Sequence, residues 1–202
     1  MTRSRSLLDR VVDGYFRLWA PTYDWSPLQL LLYHPVHRAV VRAIQRLPGP
    51  PARVLDLGCG TAQLTEELRR GIPSATVAGL DVSAGMLAAA RARFGATGPA
   101  LVRGDAYALP FATGSLDLVT STIAYHWLID ARAALAEMHR VLGPGGHLVL
   151  GTLVARLIPG IWFAMRLQTE GGHRRELTRA GFGVERIDRV GLRTVVITAR
   201  AG

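Results

Sequence analysis

Near the start of the chain, apolar positions recur every three or four residues. Leu8, Val11, Val12, Tyr15, Phe16 and Trp19 share one stripe, with Asp9, Arg10, Asp13 and Arg17 opposite. That spacing predicts an amphipathic helix over Leu7–Trp19. Pro21 ends it, and "TYDWSP" reads as a turn. A second stripe, from Leu28 through Leu31, Leu32, Val36, Ala39, Val40, Ala43 and Ile44 to Leu47, predicts another helix, bent or split at Pro35. "PGPP" at Pro48–Pro51 is a hard stop. It divides the chain into an N-terminal helical segment, 1–51, and a core, 52–202.

Beyond Pro51 the pattern changes to short apolar runs alternating with helical stripes. Strands are expected at Arg53–Leu57, Thr76–Leu80, Ala100–Val102, Leu116–Ser121 and His147–Thr152. Helices are expected at Thr61–Arg70, Ala84–Phe94, Ala131–Leu142 and Arg174–Ala180, most of them closed by glycine. Val184–Val190 and Thr194–Ala199 form a closing pair of strands around Gly191 with no helix between them, so the last strand is antiparallel. Strands and helices in alternation imply an α/β, doubly wound, Rossmann-like sheet of seven mostly parallel strands, with helices on both faces.

Composition narrows the class. Hydrophobic residues are 49% and charged residues 19% of 202, a globular balance. Apolar runs are interrupted within about a dozen residues, short of the roughly 18 that span a bilayer. No apolar stretch with a cleavage site follows Arg3 and Arg5, which argues against a secretory signal. A single cysteine, Cys59, cannot form an internal disulfide, and a reducing cytoplasm fits. The net charge of +9 comes wholly from arginine, since the chain has no lysine. A basic surface suits nucleic acid, an anionic membrane or an acidic substrate, and equally a plain solvated surface.

Candidate chemistry begins at "VLDLGCGTAQL", from Val54. In a doubly wound sheet, ligands bind beyond the carboxyl ends of the strands. Gly58 and Gly60 let a ligand approach the backbone there, and the next helix offers free N–H groups. A glycine turn alone also simply closes a strand–helix joint. Asp81 ends the second strand about 20 residues later, where nucleotide-binding folds place a carboxylate for ribose hydroxyls. It could instead cap the helix at "SAGML", a task open to Ser83. Asp105 follows the third strand in "GDAYALPF". A nicotinamide dinucleotide is disfavoured: Gln63 stands where the third glycine of its fingerprint belongs, and Asp56 would repel a pyrophosphate.

The ordered set "VLDLGCGTA", "GLDVSAGML", "GDAYALPF", "SLDLVTSTIAYHW" and "VLGPGGHLVL" resembles the class I S-adenosylmethionine-dependent methyltransferases. It looks most like the branch that includes the ubiquinone and menaquinone C-methyltransferases and many small-molecule enzymes. The resemblance covers Val54–Gly151. It implies S-adenosyl-L-methionine as cofactor, held by Asp56, Gly58, Cys59, Gly60, Asp81, Val82, Met86, Asp105, Ala106 and Ser121. Asp56 would face the ammonium, Asp81 the ribose and Asp105 the adenine amino group. Where the family often has glycine, this chain has Ala62. No metal is implied, and the histidines show no ligand spacing.

Methyl transfer is then an in-line displacement that needs alignment and exclusion of water. A base is needed only if the acceptor must lose a proton. His126, Tyr125 and Tyr23 are the candidates for that base or for positioning the acceptor; each is also a candidate for plain packing. Tyr23, in "APTYDW", resembles the segment that closes over the cofactor in this branch. The chain lacks the motifs of DNA amino- and cytosine-methyltransferases and the lysine of RNA 2′-O enzymes, which weakens nucleic acid as acceptor. The apolar "ARLIPGIWFAMRLQ" is expected to roof a small lipophilic acceptor, with Trp162 and Phe163 touching it, and its arginines suit the edge of an anionic membrane. The other reading is a domain that binds the cofactor without transferring methyl, as a regulatory or partner-binding module.

Overall fold

A computed structural model describes residues 14–154 and 167–202, apart from Arg17 and Pro21. One sheet holds β1 (Arg53–Leu57), β2 (Thr76–Asp81), β3 (Ala100–Arg103), β4 (Leu116–Thr122), β5 (Leu142–Leu153), β6 (Phe182–Val190) and β7 (Thr194–Ala201). Their order is β3-β2-β1-β4-β5-β7-β6. The first five run parallel, and β7 lies antiparallel to both β5 and β6. The helices are α1 (His34–Gln45), α2 (Gln63–Gly71), α3 (Ala84–Phe94), α4 (Ala131–Val141) and α5 (Glu170–Arg179). This is the expected doubly wound α/β sheet with an antiparallel last strand.

Two apolar layers explain why the strands read as nearly continuous hydrophobic runs. Successive strand side chains point to opposite faces. Leu55, Val119, Leu148 and Leu150 join Leu135 and Met138 of α4 and Leu177 of α5 on one face. Val54, Leu118, Val149 and Val196 join Val36, Val40 and Ile44 of α1 and Leu64 and Leu68 of α2 on the other. Fully burying an aliphatic side chain contributes about 1.5–3 kcal/mol, so Val40→Asp should be disruptive. The expected boundary after Pro51 falls between α1 and β1, next to a buried proline, while α1 ahead of it is packed into the core of the sheet.

The structure moves several expected boundaries. The helix expected over 28–47 runs unbroken to Gln45, but Gln29–Tyr33 widens into a π turn, and α1 follows with Pro35 in its first turn. A missing N–H costs nothing there. The helix α5 starts at Glu170 rather than Arg174, because Thr169 Oγ1 accepts from Gly172 N at 3.1 Å. That cap outweighs the poor helix propensity of Gly171 and Gly172. The strand β5 begins at Leu142, taking in the residues expected to form a turn. Of the first expected helix, residues 14–16 and 18–19 are helical, and the rest lies outside the described residues.

Candidate functional site

The turn after β1 is set by backbone geometry that glycine satisfies. Gly58 N and Cys59 N donate to Leu80 O at 2.7 and 3.1 Å, folding the turn onto β2. Gly58 has φ +72°, and a Cβ there would lie 2.5 Å from the Cβ of Ala124. Gly60 has φ +55°, but a Cβ there would meet nothing within 4 Å, since it faces the cleft. Ala62, the departure from the family pattern, has φ 60° and is fully buried. A left-handed L-residue costs roughly 1–2 kcal/mol, so the chain tolerates strain where the family often has glycine. Burial, then Asp56 and Asp81, push the Cys59 thiol up. Its sulfur packs where Gly79 leaves room, which is a structural position and not that of an activated nucleophile.

Three carboxylates close the ends of adjacent strands. Asp81 accepts from Gly60 N and Ser83 N, both at 2.8 Å, so it braces the turn and the start of α3 together. Ser83 supplies the helix cap, accepting from Met86 N. Asp105 accepts from Tyr107 N at 3.0 Å. Asp56 is 1% exposed and accepts from Thr65 Oγ1 at 2.6 Å. Burial raises its pKa to about 7; Thr65 opposes the shift and nearby Asp81 adds to it. A buried carboxylate held by the neutral Thr65 is poised for a cation.

These groups border an open cleft at the carboxyl ends of the strands. Gly58, Gly60, Asp81, Val82, Met86, Asp105, Ala106 and Ser121 line it. A smaller cavity adjoins it beneath the turn and takes in Asp56, Cys59, Thr61 and Gln63. All ten residues expected at the cofactor therefore border these two adjoining spaces. The donor set suits S-adenosylmethionine: carboxylates for hydroxyls, an amino group and an ammonium, and an open approach at Gly60. The Ser121 and Thr122 hydroxyls, on residues that line the cleft, are buried without a hydrogen-bond partner among the described residues.

The opposite wall is aromatic. Trp127 meets Phe16 edge-on at 5.3 Å between centroids, Trp19 meets Tyr23 at 4.8 Å, and Tyr23 meets Tyr33 at 5.3 Å. Tyr23 and Tyr33 share a hydroxyl hydrogen bond, and burial drives both phenols upward, so neither is a base near neutral pH. Asp24, next to Tyr23, fastens this wall to the core. It accepts from Thr61 Oγ1 at 2.7 Å and Gln63 Nε2 at 2.6 Å, and pairs with Arg93 at 2.8 Å. Residues 22–33 thus form a strap across the glycine turn.

The other two candidates from the fourth-strand motif sit elsewhere. Tyr125 is buried with its hydroxyl donating to Glu176 Oε2 at 2.6 Å, under α5 rather than on the cleft lining. His126 is 1% exposed, off the lining, with neither ring nitrogen hydrogen-bonded among the described residues. Burial, helped by His173, lowers its pKa to about 3, which keeps it neutral. Of the three base candidates, Tyr23 alone lines the cleft. Trp162 and Phe163 lie outside the described residues.

Several site residues carry no clear signal in the sequence. Ile123 has φ 52°, a costly conformation for a β-branched side chain, where β4 turns into the cleft. Asp24, Gln29, Thr61 and Gln63 form a polar mesh linking residues far apart in sequence. Gln29, a polar position beside an apolar stripe and 3% exposed, is the one legible hint.

Residues 55–150 match the family model described as a methyltransferase domain. The chain is 36% identical over 168 residues to a malonyl-[acyl-carrier protein] O-methyltransferase of Methylococcus capsulatus, covering 78% of this chain and 61% of that protein. It is 41% identical over 115 residues to a demethylmenaquinone methyltransferase of Thermus thermophilus, covering 56% and 51%. The chain thus spans about half to three-fifths of these relatives' length. The crystal structure of a Burkholderia thailandensis 1,6-didemethyltoxoflavin-N1-methyltransferase with bound S-adenosylhomocysteine superposes with a TM-score of 0.76 at 20% identity, covering 100% of this chain and 93% of that one. Sheet order, cleft and family match agree: this chain carries a methyltransferase domain of the S-adenosylmethionine-dependent, class I, Rossmann-like family.

Proposed function

We propose that the protein transfers a methyl group from S-adenosylmethionine to a small lipophilic acceptor. The observation that carries this reading is the two-sided cleft, with carboxylates on the strand-end wall and aromatic rings opposite. Asp56 meets the cofactor's ammonium, Asp81 its ribose hydroxyls and Asp105 its adenine amino group, with Val82, Met86 and Ala106 beside the base. When bound, the cofactor supplies a methyl group already activated on a sulfonium. The protein's part is to hold both reactants in line and keep water out. Phe16, Trp127 and Leu128 give the acceptor side an apolar surface.

The Tyr23 and Tyr33 phenols are held protonated, and the neutral His126 sits off the lining. That supports an acceptor that arrives already nucleophilic, such as a carboxylate, or a quinol carbon or oxygen that ionises readily. The substrates that name the two relatives, a malonyl-[acyl-carrier protein] and demethylmenaquinone, offer groups of these kinds. A quinone precursor, a phospholipid and a natural-product scaffold all fall within the proposed lipophilic class.

The test is a transfer assay with radiolabelled cofactor against demethylated quinols, malonyl thioesters and lipid extracts. Label should appear in at least one lipophilic product, and Asp81→Ala should abolish it. Tight binding of S-adenosylhomocysteine with no labelled product from any of these classes would overturn the reading and favour a cofactor-binding module.

A further inference from the structure

Among the described residues, large apolar side chains that stand in solvent are concentrated in one place. There are seven: Tyr15, Leu18, Trp25, Leu28, Leu30, Leu31 and Leu192, so six fall between positions 15 and 31. Trp25, Leu30 and Leu31 are 87%, 71% and 78% exposed. They alternate with Tyr23, Gln29 and Tyr33, which are buried against the cleft. The strap therefore has two faces. Its inner face closes the cofactor site, and its outer face presents leucine and tryptophan to solvent. Soluble surfaces rarely gather such side chains without something that covers them.

Charge indicates what that is. From position 22 to position 52 the chain has one acidic residue, Asp24, and it is consumed by the ion pair with Arg93. The same stretch carries Arg38, Arg42 and Arg46, spaced four apart and all exposed along α1 and its C-cap. Arg46 leans toward Asp188 at 3.5 Å and Glu67 lies near Arg38. An apolar prong thus leads directly into a row of guanidinium groups. Tryptophan and leucine at the headgroup level, with arginines beside anionic phosphates, is the arrangement that holds a protein at a membrane surface. A second copy of the chain suits this face less well, because two-fold pairing would set the arginine row against itself.

We propose that the outer face of residues 25–46 docks on an anionic lipid surface, with Trp25, Leu28, Leu30 and Leu31 entering the headgroup boundary and Arg38 and Arg42 meeting the phosphates. This goes beyond the methyl-transfer reading and stands whichever acceptor is used. Residues 155–166, part of the segment that the sequence pattern favours for such a contact, lie outside the described residues.

Flotation of the purified chain with vesicles tests it. Phosphatidylcholine vesicles containing about a third phosphatidylglycerol should carry the protein upward, and phosphatidylcholine alone should not. L30E/L31E should cut the bound fraction about tenfold or more, while L192E, which removes an equally exposed leucine elsewhere, should leave it unchanged. R38S/R42S should weaken binding and flatten its salt dependence. Binding of S-adenosylhomocysteine and the melting temperature report whether each variant is folded. Should L30E/L31E fail to fold, the lipid and salt dependence of the unaltered chain and of R38S/R42S decide. The proposal is overturned if the unaltered, monodisperse chain ignores anionic vesicles. It is equally overturned if L192E loses as much binding as L30E/L31E, or if L30E/L31E dissolves a dimer that has no affinity for lipid.

Discussion

The two walls of the cleft are built in different ways. The strand-end wall rests on contacts within a few short motifs: Asp81 holds Gly60 N and Ser83 N, and Thr65 holds Asp56. The aromatic wall rests on contacts across long stretches of chain, with Asp24 reaching Thr61, Gln63 and Arg93. The first is an arrangement that polar cofactor groups require wherever it occurs. The second depends on side chains that the finished fold brings together.

The largest expected effect comes from breaking the local wall. Gly58→Ala drives a Cβ into Ala124 and forces an unfavourable positive φ. It should destabilise the fold by about 2–3 kcal/mol and weaken cofactor binding by at least about 100-fold, read by thermal unfolding and calorimetry. An unchanged affinity would mean that the turn does not touch the cofactor.

Next is Asp56→Asn, which sharpens the comparison through pH. The folded-state pKa of Asp56 is about 7, above the usual carboxylate value. Between those two pH values the folded chain binds more protons than the unfolded one, so stability falls as pH rises and the loss is complete above about 7. The substitution should therefore raise the melting temperature of the cofactor-free protein at pH 8 and much less at pH 5. Cofactor binding should change in the opposite sense. The ionised carboxylate attracts the ammonium, so affinity should weaken as pH drops below about 7. At pH 8 the variant should bind roughly 10–100-fold less tightly, the worth of one charge-assisted contact.

The long-range wall responds more mildly. Asp24→Ala frees the strap from Thr61, Gln63 and Arg93, and should speed cofactor dissociation by about tenfold, measured by stopped-flow, with little change in melting temperature. A slow, unaltered dissociation rate would show that the strap does not gate the site.

His126→Leu should have the smallest effect and is the most discriminating for the acceptor side. Two buried ring nitrogens without a partner among the described residues make the histidine costly, so leucine should add about 1 kcal/mol of stability. Activity should persist if the imidazole is off the lining, and fall by about 100-fold or more if it serves as base.

The two walls are also unequally legible in the sequence. Strand positions and the antiparallel β7 can be read because each belongs to a short run whose period has a local cause, and the ten residues that the family resemblance names border the two adjoining spaces. The Tyr125–Glu176 bond, the strap's mesh and the left-handed Ile123 cannot, since each depends on residues brought together by the finished fold. His126 shows the same limit. Its position after β4 suggests chemistry, whereas burial, which no local pattern records, keeps it neutral and off the lining. Pro35 marks where regular α-helix begins, but the π turn before it, which aims Gln29 and Tyr33 inward, has no local signal.

The most direct measurement is calorimetric titration of the purified chain with S-adenosylmethionine and S-adenosylhomocysteine, beside Asp81→Ala. Micromolar binding by the unaltered chain, weakened by roughly 100-fold or more in the variant, is the expected result, since the substitution removes the ribose acceptor and the brace between Gly60 and Ser83 together. A well-folded chain that binds neither compound, or a variant that binds both as tightly as the original, would contradict the placement of the cofactor in this cleft.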